Sequence, residues 1–207
     1  MNPGRILALF LSGPLSGLLS GLMFVAPVPI AGAQTATTPD GVVETVTAII
    51  EIPSGGSVKY ERDAEGHIFV DRFLAMPVAY PANYGSIDGT LAGDGDPLDI
   101  LVYSREPIIP SARIKVRPIG ILRMVDGGED DQKIIAVPVS KVDPDYEKIK
   151  SVADLPAGAS ERLAAFFRVY KQDANGDSPV ILSGYGDAKE ALAVLREAFT
   201  RAAAKAD

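Results

Sequence analysis

Asp94, Asp96 and Asp99 fall within the six residues Asp94-Gly95-Asp96-Pro97-Leu98-Asp99, a density of carboxylate that calls for a cation. At separations of about 5 Å and an effective dielectric of about 20, each ionised pair repels by roughly 3 kcal/mol. An oxygen-only donor set, without sulfur or imidazole, suits a hard ion such as Mg²⁺ or Ca²⁺. The calcium EF-hand pattern does not fit. That loop needs Gly at its sixth position and Glu at its twelfth, where this chain has Asp99 and Arg105. A Mg²⁺ site is the expectation, and a solvated acidic turn is the alternative. The flanks oppose the turn, because Leu91-Ala92 precede the cluster and Ile100-Leu101-Val102 carry it into a buried-strand pattern.

Other ionisable residues sit where strands and a helix would aim them. Lys59 and Glu61, two apart on a strand, share one face, with Tyr60 on the other. Glu51 ends the preceding strand and Arg72 lies near the end of the following one. Asp126 and Asp131 bracket a Gly-rich acidic loop, and Lys133 opens the next strand. Tyr170 and Lys171 close a helix. Taken singly, residues of these kinds are more often surface charges or caps than ligands; Lys171, for example, would favour a helix dipole without any function. Asp173-Ala174-Asn175-Gly176-Asp177 reads as a turn, and His67, in Glu65-Gly66-His67-Ile68-Phe69, as a structural residue at the start of a strand.

The elements that must position these groups run strands first and helices last. Strand patterns cover Val42 to Ile52, Val58 to Arg62, Ile68 to Phe73, Leu98 to Tyr103, Ile114 to Val125 and Lys133 to Val139, separated by Gly, Pro and Asp. Ser160 is placed to cap a helix carrying Leu163, Phe166, Phe167 and Tyr170 at helical spacing. A last helix is expected from about Ala188 to Ala204, with Leu192, Leu195 and Phe199 on one face. Short strands at close spacing followed by helices suggest a small, closed or nearly closed barrel with helices packed outside.

The chain has 207 residues, 47% of them hydrophobic, enough for one domain with a sizeable core. A net charge of −7 disfavours nucleic acid as a partner. The absence of Cys excludes disulfides, thiolate catalysis and cysteine-ligated zinc, and a single His excludes a multi-histidine metal site. No G-x-S-x-G and no P-loop is present, so those nucleophile and nucleotide classes lose support.

The N-terminal stretch has a different composition. Arg5 is followed by an uncharged run from Ile6 to Pro39, ending its apolar part near Ala31-Gly32-Ala33. This is the pattern of a secretory signal peptide. The expected organisation is therefore a signal peptide at 1–33, a polar linker at 34–44 and a catalytic domain at 45–207. The protein would be exported, periplasmic or secreted, without a stable membrane anchor after cleavage. A retained membrane helix, or a start at Met23 with a cytoplasmic product, are the alternatives.

Taken together, Glu51-Ile-Pro53, Lys59-Tyr-Glu61, Phe69-Val-Asp-Arg72-Phe73, Tyr80-Pro-Ala-Asn-Tyr84-Gly85, Asp94-Gly-Asp96-Pro-Leu-Asp99, Asp131-Gln-Lys133 and Tyr170-Lys171 resemble the soluble family I inorganic pyrophosphatases. The segments come in the same order, with nearly the same gaps, over about residues 45 to 200. The resemblance implies an α+β fold, a five-stranded OB-like β-barrel with flanking α-helices, and Mg²⁺-dependent hydrolysis of inorganic diphosphate to two phosphates. For bacterial members it also implies a homo-oligomer, a homohexamer in particular. By position it implies Asp94, Asp99 and Asp131 as ligands of the tighter metals, Asp126 and Glu61 as further ligands, and Asp96 as general base. Lys59, Arg72, Tyr84, Tyr170 and Lys171 match substrate-phosphate contacts, and Glu51, Tyr80 and Lys133 match supporting polar positions. The chain departs from the family pattern in lacking Trp, with Leu182-Ser-Gly-Tyr185 in its place in the last strand. It also has Ala165 and Arg168 where bacterial members often carry histidines at subunit contacts. Two rival functions remain: a related metal phosphohydrolase acting on polyphosphate or nucleotides, and a non-catalytic exported cation-binding module.

Overall fold

The computed structural model describes residues 36–37, 43–63 and 65–206. The expected signal peptide lies outside the described residues, as does most of the expected linker. In chain order the elements are β1 (Ala36–Thr37), β2 (Val43–Ile52), β3 (Val58–Arg62), β4 (Ile68–Phe73), β5 (Asn83–Ile87), β6 (Asp99–Val102), β7 (Arg113–Asp126), β8 (Glu129–Asp130), β9 (Lys133–Pro138), α1 (Ala159–Val169), β10 (Val180–Asp187) and α2 (Ala188–Ala206). Within the segment expected as linker, β1 pairs with β2.

Five strands close on themselves. β2 pairs antiparallel with β5, β5 with β6 and β7 with β9, while β6 and β9 run parallel. The ring is completed where β2 pairs with β7 through Val46↔Val116 to Ile49↔Arg113. Closure removes the unpaired edges that an open sheet of this size would present. The result is the five-stranded mixed barrel of the OB type, with two helices. The 14 residues of β7 permit closure because residues 113–116 pair with β2 and residues 116–122 with β9; its C-terminal half, 120–126, also carries β10. β3 and β4 form a separate two-stranded hairpin.

Six of these strands match the hydrophobic patterns of the sequence; β1, β8 and β10 carried none, and of the barrel strands only β5 lacks one. Asn83-Tyr84-Gly85-Ser86-Ile87 has little alternation, yet all five residues are buried: both strand edges are paired, and the faces are covered by the two core clusters that take up Tyr84 and Ile87. Gly85 explains the composition. A Cβ there would lie 1.9 Å from the Ile49 carbonyl oxygen, a backbone atom that cannot step aside without opening the β2–β5 pairing.

The barrel strands divide their side chains between two clusters. Ile52, Leu101, Ile119, Leu122, Met124, Ile135 and Val137 pack with Leu163, Phe166 and Phe167 of α1. Their alternates Ile50, Ile100, Val102, Ile121, Ile134 and Ala136 pack with Ala191, Leu195 and Ala198 of α2. Each fully buried Ile, Leu or Phe contributes about 1.5–3 kcal/mol. The two faces of the sheet therefore hold α1 and α2 on opposite sides of the barrel wall.

Helix starts show one correction. Gly158, at φ 78°, is the N-cap of α1, and no side-chain cap is made. Ser160 lies inside the first turn and donates to Glu161 instead. The Pro156-Ala157-Gly158 turn, closed by Ala159 N–H donating to the Pro156 carbonyl, sets the start two residues earlier. Asp187 does cap α2, accepting from the Glu190 N–H at 2.9 Å. Arg123 then ties α2 to β7 by a bidentate pair with Glu190, at 2.6 and 2.5 Å. Asp173 accepts from the N–H groups of Asn175 and Asp177, as a turn does. No helix among the described residues is long and apolar enough to cross a membrane.

Candidate active site

A polar cavity of about 730 Å³ opens beside the barrel, lined from β2, β3, β5, the loop before β6, the β7–β8 hairpin, β9 and the end of α1. It gathers Glu51, Lys59, Glu61, Tyr84, Asp94, Asp96, Asp99, Asp126, Asp131, Lys133, Tyr170 and Lys171, twelve of the residues singled out from the sequence. Two others stand apart from the wall. Arg72 pairs in register with Lys59 across the β3–β4 hairpin, but its guanidinium is turned to Asp71. Tyr80 is 1% exposed and belongs to the core, with its ring centroid 5.4 Å from that of Tyr84 and 4.6 Å from that of Phe166. It supports the Tyr84 ring from behind.

The acidic loop is held by a few specific bonds. Leu98 is 3% exposed and anchors its C-terminal end in the core. The Thr90 hydroxyl accepts from the Leu98 N–H and donates to the Ile87 carbonyl, pinning the loop base. Asp94 Oδ1 accepts from the Asp96 N–H at 3.0 Å, and Gly95 between them takes φ 95°. Only glycine adopts that conformation without strain. The loop thus turns both carboxylates outward while Asp99 stays at the barrel rim. The expectation of a partly buried cluster holds for Asp99; Asp94 and Asp96 are exposed.

Lys133 is the most enclosed cation of the site, 2% exposed, and donates to both Asp99 and Asp131. Burial works against its charge, but the two carboxylates outweigh it and hold its pKa above the usual lysine value. The same burial raises the Asp131 carboxyl, opposed by Lys133. The Lys133 ammonium also lies 5.8 Å from the Tyr84 ring centroid and 6.0 Å from that of Phe167, within cation–π reach. Across the cavity, α1 ends in Tyr170, whose N–H closes the last turn on Phe166. Its hydroxyl and the Lys171 ammonium both face Asp126. Lys59 pairs with Glu61 on β3, and its pKa is lowered by burial and by the nearby Arg72.

The donor set fits a hard divalent ion. Nine carboxylates line the cavity against the four cationic side chains Lys59, Arg62, Lys133 and Lys171, a formal excess of five negative charges, with no sulfur ligand. Asp94, Asp99, Asp131, Asp126 and Glu61 present oxygens suited to Mg²⁺. Four polar lining residues carried no prediction: Arg62, Asp63, Ser86 and Glu129. Strand alternation assigns Arg62 the face opposite Lys59 and Glu61, and Ser86 lies on β5, which has no pattern of its own. Only Glu129 had a signal, its place in the acidic loop between Asp126 and Asp131.

A closed OB-like barrel whose rim gathers oxygen donors and flanking lysines defines a barrel enzyme of the metal-dependent hydrolase class. The chain belongs to the inorganic pyrophosphatase family, whose model matches residues 48–203. It is 50% identical over 158 residues to an inorganic pyrophosphatase of Caulobacter vibrioides, covering 75% of this chain and 89% of that protein. It is 45% identical over 159 residues to one of Sulfolobus acidocaldarius, covering 76% and 91%. Among solved structures, the inorganic pyrophosphatase of Thermus thermophilus superposes with a TM-score of 0.74 at 36% identity, over 83% of this chain and 97% of that one.

Proposed function

We propose that this protein hydrolyses inorganic diphosphate to two phosphates by direct attack of water, with Mg²⁺ as cofactor. The observation that carries the reading is one cavity in which carboxylates outnumber cations yet lysines and tyrosines flank them. A simple ion buffer needs no such anion clamp. Diphosphate carries about three to four negative charges, so its cleavage is mostly positioning and charge neutralisation. Bound Mg²⁺ supplies that neutralisation and acidifies water. Asp94, Asp99 and Asp131, with Asp126 and Glu61, are the ligands, and Asp96 accepts the proton of the attacking water. Lys59, Tyr84, Tyr170 and Lys171 hold phosphoryl oxygens, joined by Arg72 once its guanidinium turns from Asp71. Phosphate release measured on diphosphate, tripolyphosphate and ATP tests the reading. Hydrolysis of diphosphate in strong preference to the other two is expected, and a preference for either of them overturns it.

The same reading extends to assembly and location. The protein forms homo-oligomers, a reading supported by the exposed Phe69, Val70 and Phe73 on the β3–β4 hairpin. It is exported, with residues 1–33 removed and the mature chain starting near Gln34, a reading supported by the uncharged leader and Ala31-Gly32-Ala33. N-terminal sequencing of protein from the fractionated native host is expected to find Gln34 outside the cytoplasmic membrane. A main species beginning at Met1 or Met23 in the cytoplasm overturns the export proposal.

A further inference from the structure

Of the four cations on the cavity wall, Lys59 and Lys171 face the substrate and Lys133 serves Asp99 and Asp131. Arg62 has no part in that set. Its side chain is 18% exposed and lies along the wall beside Glu51. Its Nη2 donates to Asp88 Oδ1 at 2.6 Å and reaches the Ser86 hydroxyl at 3.4 Å. Its Nε is buried without a hydrogen-bond partner among the described residues, 3.8 Å from Glu51 Oε1. The Ser86 hydroxyl donates to that same Glu51 oxygen at 2.5 Å. Beyond the cavity, Arg113 donates to Oδ2 of Asp88 at 3.0 Å.

These contacts form a directed chain from surface to cavity. Asp88 is clamped between two guanidiniums and so fixes Arg62. Arg62 and Ser86 then converge on one oxygen of Glu51, which is 5% exposed. Burial of a carboxylate is costly unless a cation and a hydrogen-bond donor accompany it. Here the donor and the cation both approach Oε1, which leaves the second oxygen to serve the cavity.

We propose that Arg62 is a positioning residue for the hydrolysis: anchored by Asp88, it holds the Glu51 carboxylate in the one orientation that accepts a hydrogen bond from water in the cavity. This rests on the diphosphatase reading. Arg62 touches no substrate in this scheme and acts only through Glu51.

The test is a double-mutant cycle of Arg62→Gln and Glu51→Gln, with kcat and KM for diphosphate measured separately and Mg²⁺ binding followed by calorimetry without substrate. Arg62→Gln is expected to lower kcat about tenfold while KM changes less than about twofold, and the double variant is expected to be no slower than Glu51→Gln alone, as for residues acting as a unit. Mg²⁺ affinity is expected to stay within about twofold throughout. If Arg62→Gln does not fold, Asp88→Asn replaces it in the cycle, since it loosens Arg62 from outside the cavity with the same expected non-additivity. An unchanged kcat, multiplying effects in the double variant, a rise in KM alone or a loss of Mg²⁺ affinity overturns the proposal. A wild-type protein that releases no phosphate overturns the diphosphatase reading and this inference with it. An active wild type with multiplying effects overturns the inference alone.

Discussion

Replacing Asp96 with asparagine is expected to slow diphosphate hydrolysis about 10²–10⁴-fold, the usual worth of a general base. The reason lies in its placement. Asp96 stands between the proposed ligands Asp94 and Asp99, with its backbone N–H held by Asp94 and its side chain exposed at the cavity rim. Nothing in the core leans on that carboxylate, so the substitution is expected to leave stability within about 0.5 kcal/mol. Asparagine keeps the size and the polar contacts but cannot accept the proton that the attacking water must lose. The checks are phosphate release at saturating Mg²⁺ and an unchanged circular dichroism spectrum and urea midpoint. Turnover near that of the wild type would remove Asp96 from the role.

Removal of divalent metal is expected to abolish activity altogether, and Mg²⁺ to restore it. The cavity's own cations cannot replace the metal. Lys133 is engaged by Asp99 and Asp131, Lys171 by Asp126 and Lys59 by Glu61, so a diphosphate anion meets a wall of net negative charge. At about 4 Å and an effective dielectric of about 20, each uncompensated pair of charges costs roughly 4 kcal/mol. Ca²⁺ is expected to bind the same oxygens but to support little turnover, because its larger and looser shell places water and phosphate poorly. The measurement is phosphate release in excess EDTA, then after addition of each ion, with metal content followed by elemental analysis. Full activity in metal-free protein would overturn the mechanism.

The chemistry was legible in the sequence wherever it is written contiguously. Asp94-Gly95-Asp96-Pro97-Leu98-Asp99 declares an oxygen-donor site because three carboxylates so close in the chain must be close in space. Lys59 with Glu61, and Tyr170 with Lys171, were legible for the same reason, since the period of a strand or the end of a helix fixes where neighbours point. The β-branched or apolar runs of β2, β7 and β9 likewise announced strands, and the close spacing of short strands ahead of the helices announced a barrel. β5 did not, because Asn83-Tyr84-Gly85-Ser86-Ile87 is chosen for close approach to β2 rather than for a half-buried pattern. The cap of α1 was misplaced because the Gly158 turn outranks the hydroxyl of Ser160.

What only the tertiary structure decided is how distant segments share the cavity. Pairing of β2 with β5, and the packing of β3 beside β2, bring Glu51 next to Ser86 and Arg62, which lie 35 and 11 positions away in the chain. No local period relates those residues; their meeting depends on strand register around a closed ring. The same holds for Tyr80, which the family resemblance placed among the supporting polar positions but whose ring is drawn into the aromatic core with Tyr84 and Phe166. The sequence by itself determined the donor types, their local spacing and the strand-rich frame, because these follow from covalent neighbourhood and burial pattern. Which side chains face the same space, and which are withdrawn to support them, was decided by barrel closure and packing, because those interactions are long-range and leave no periodic trace in the chain.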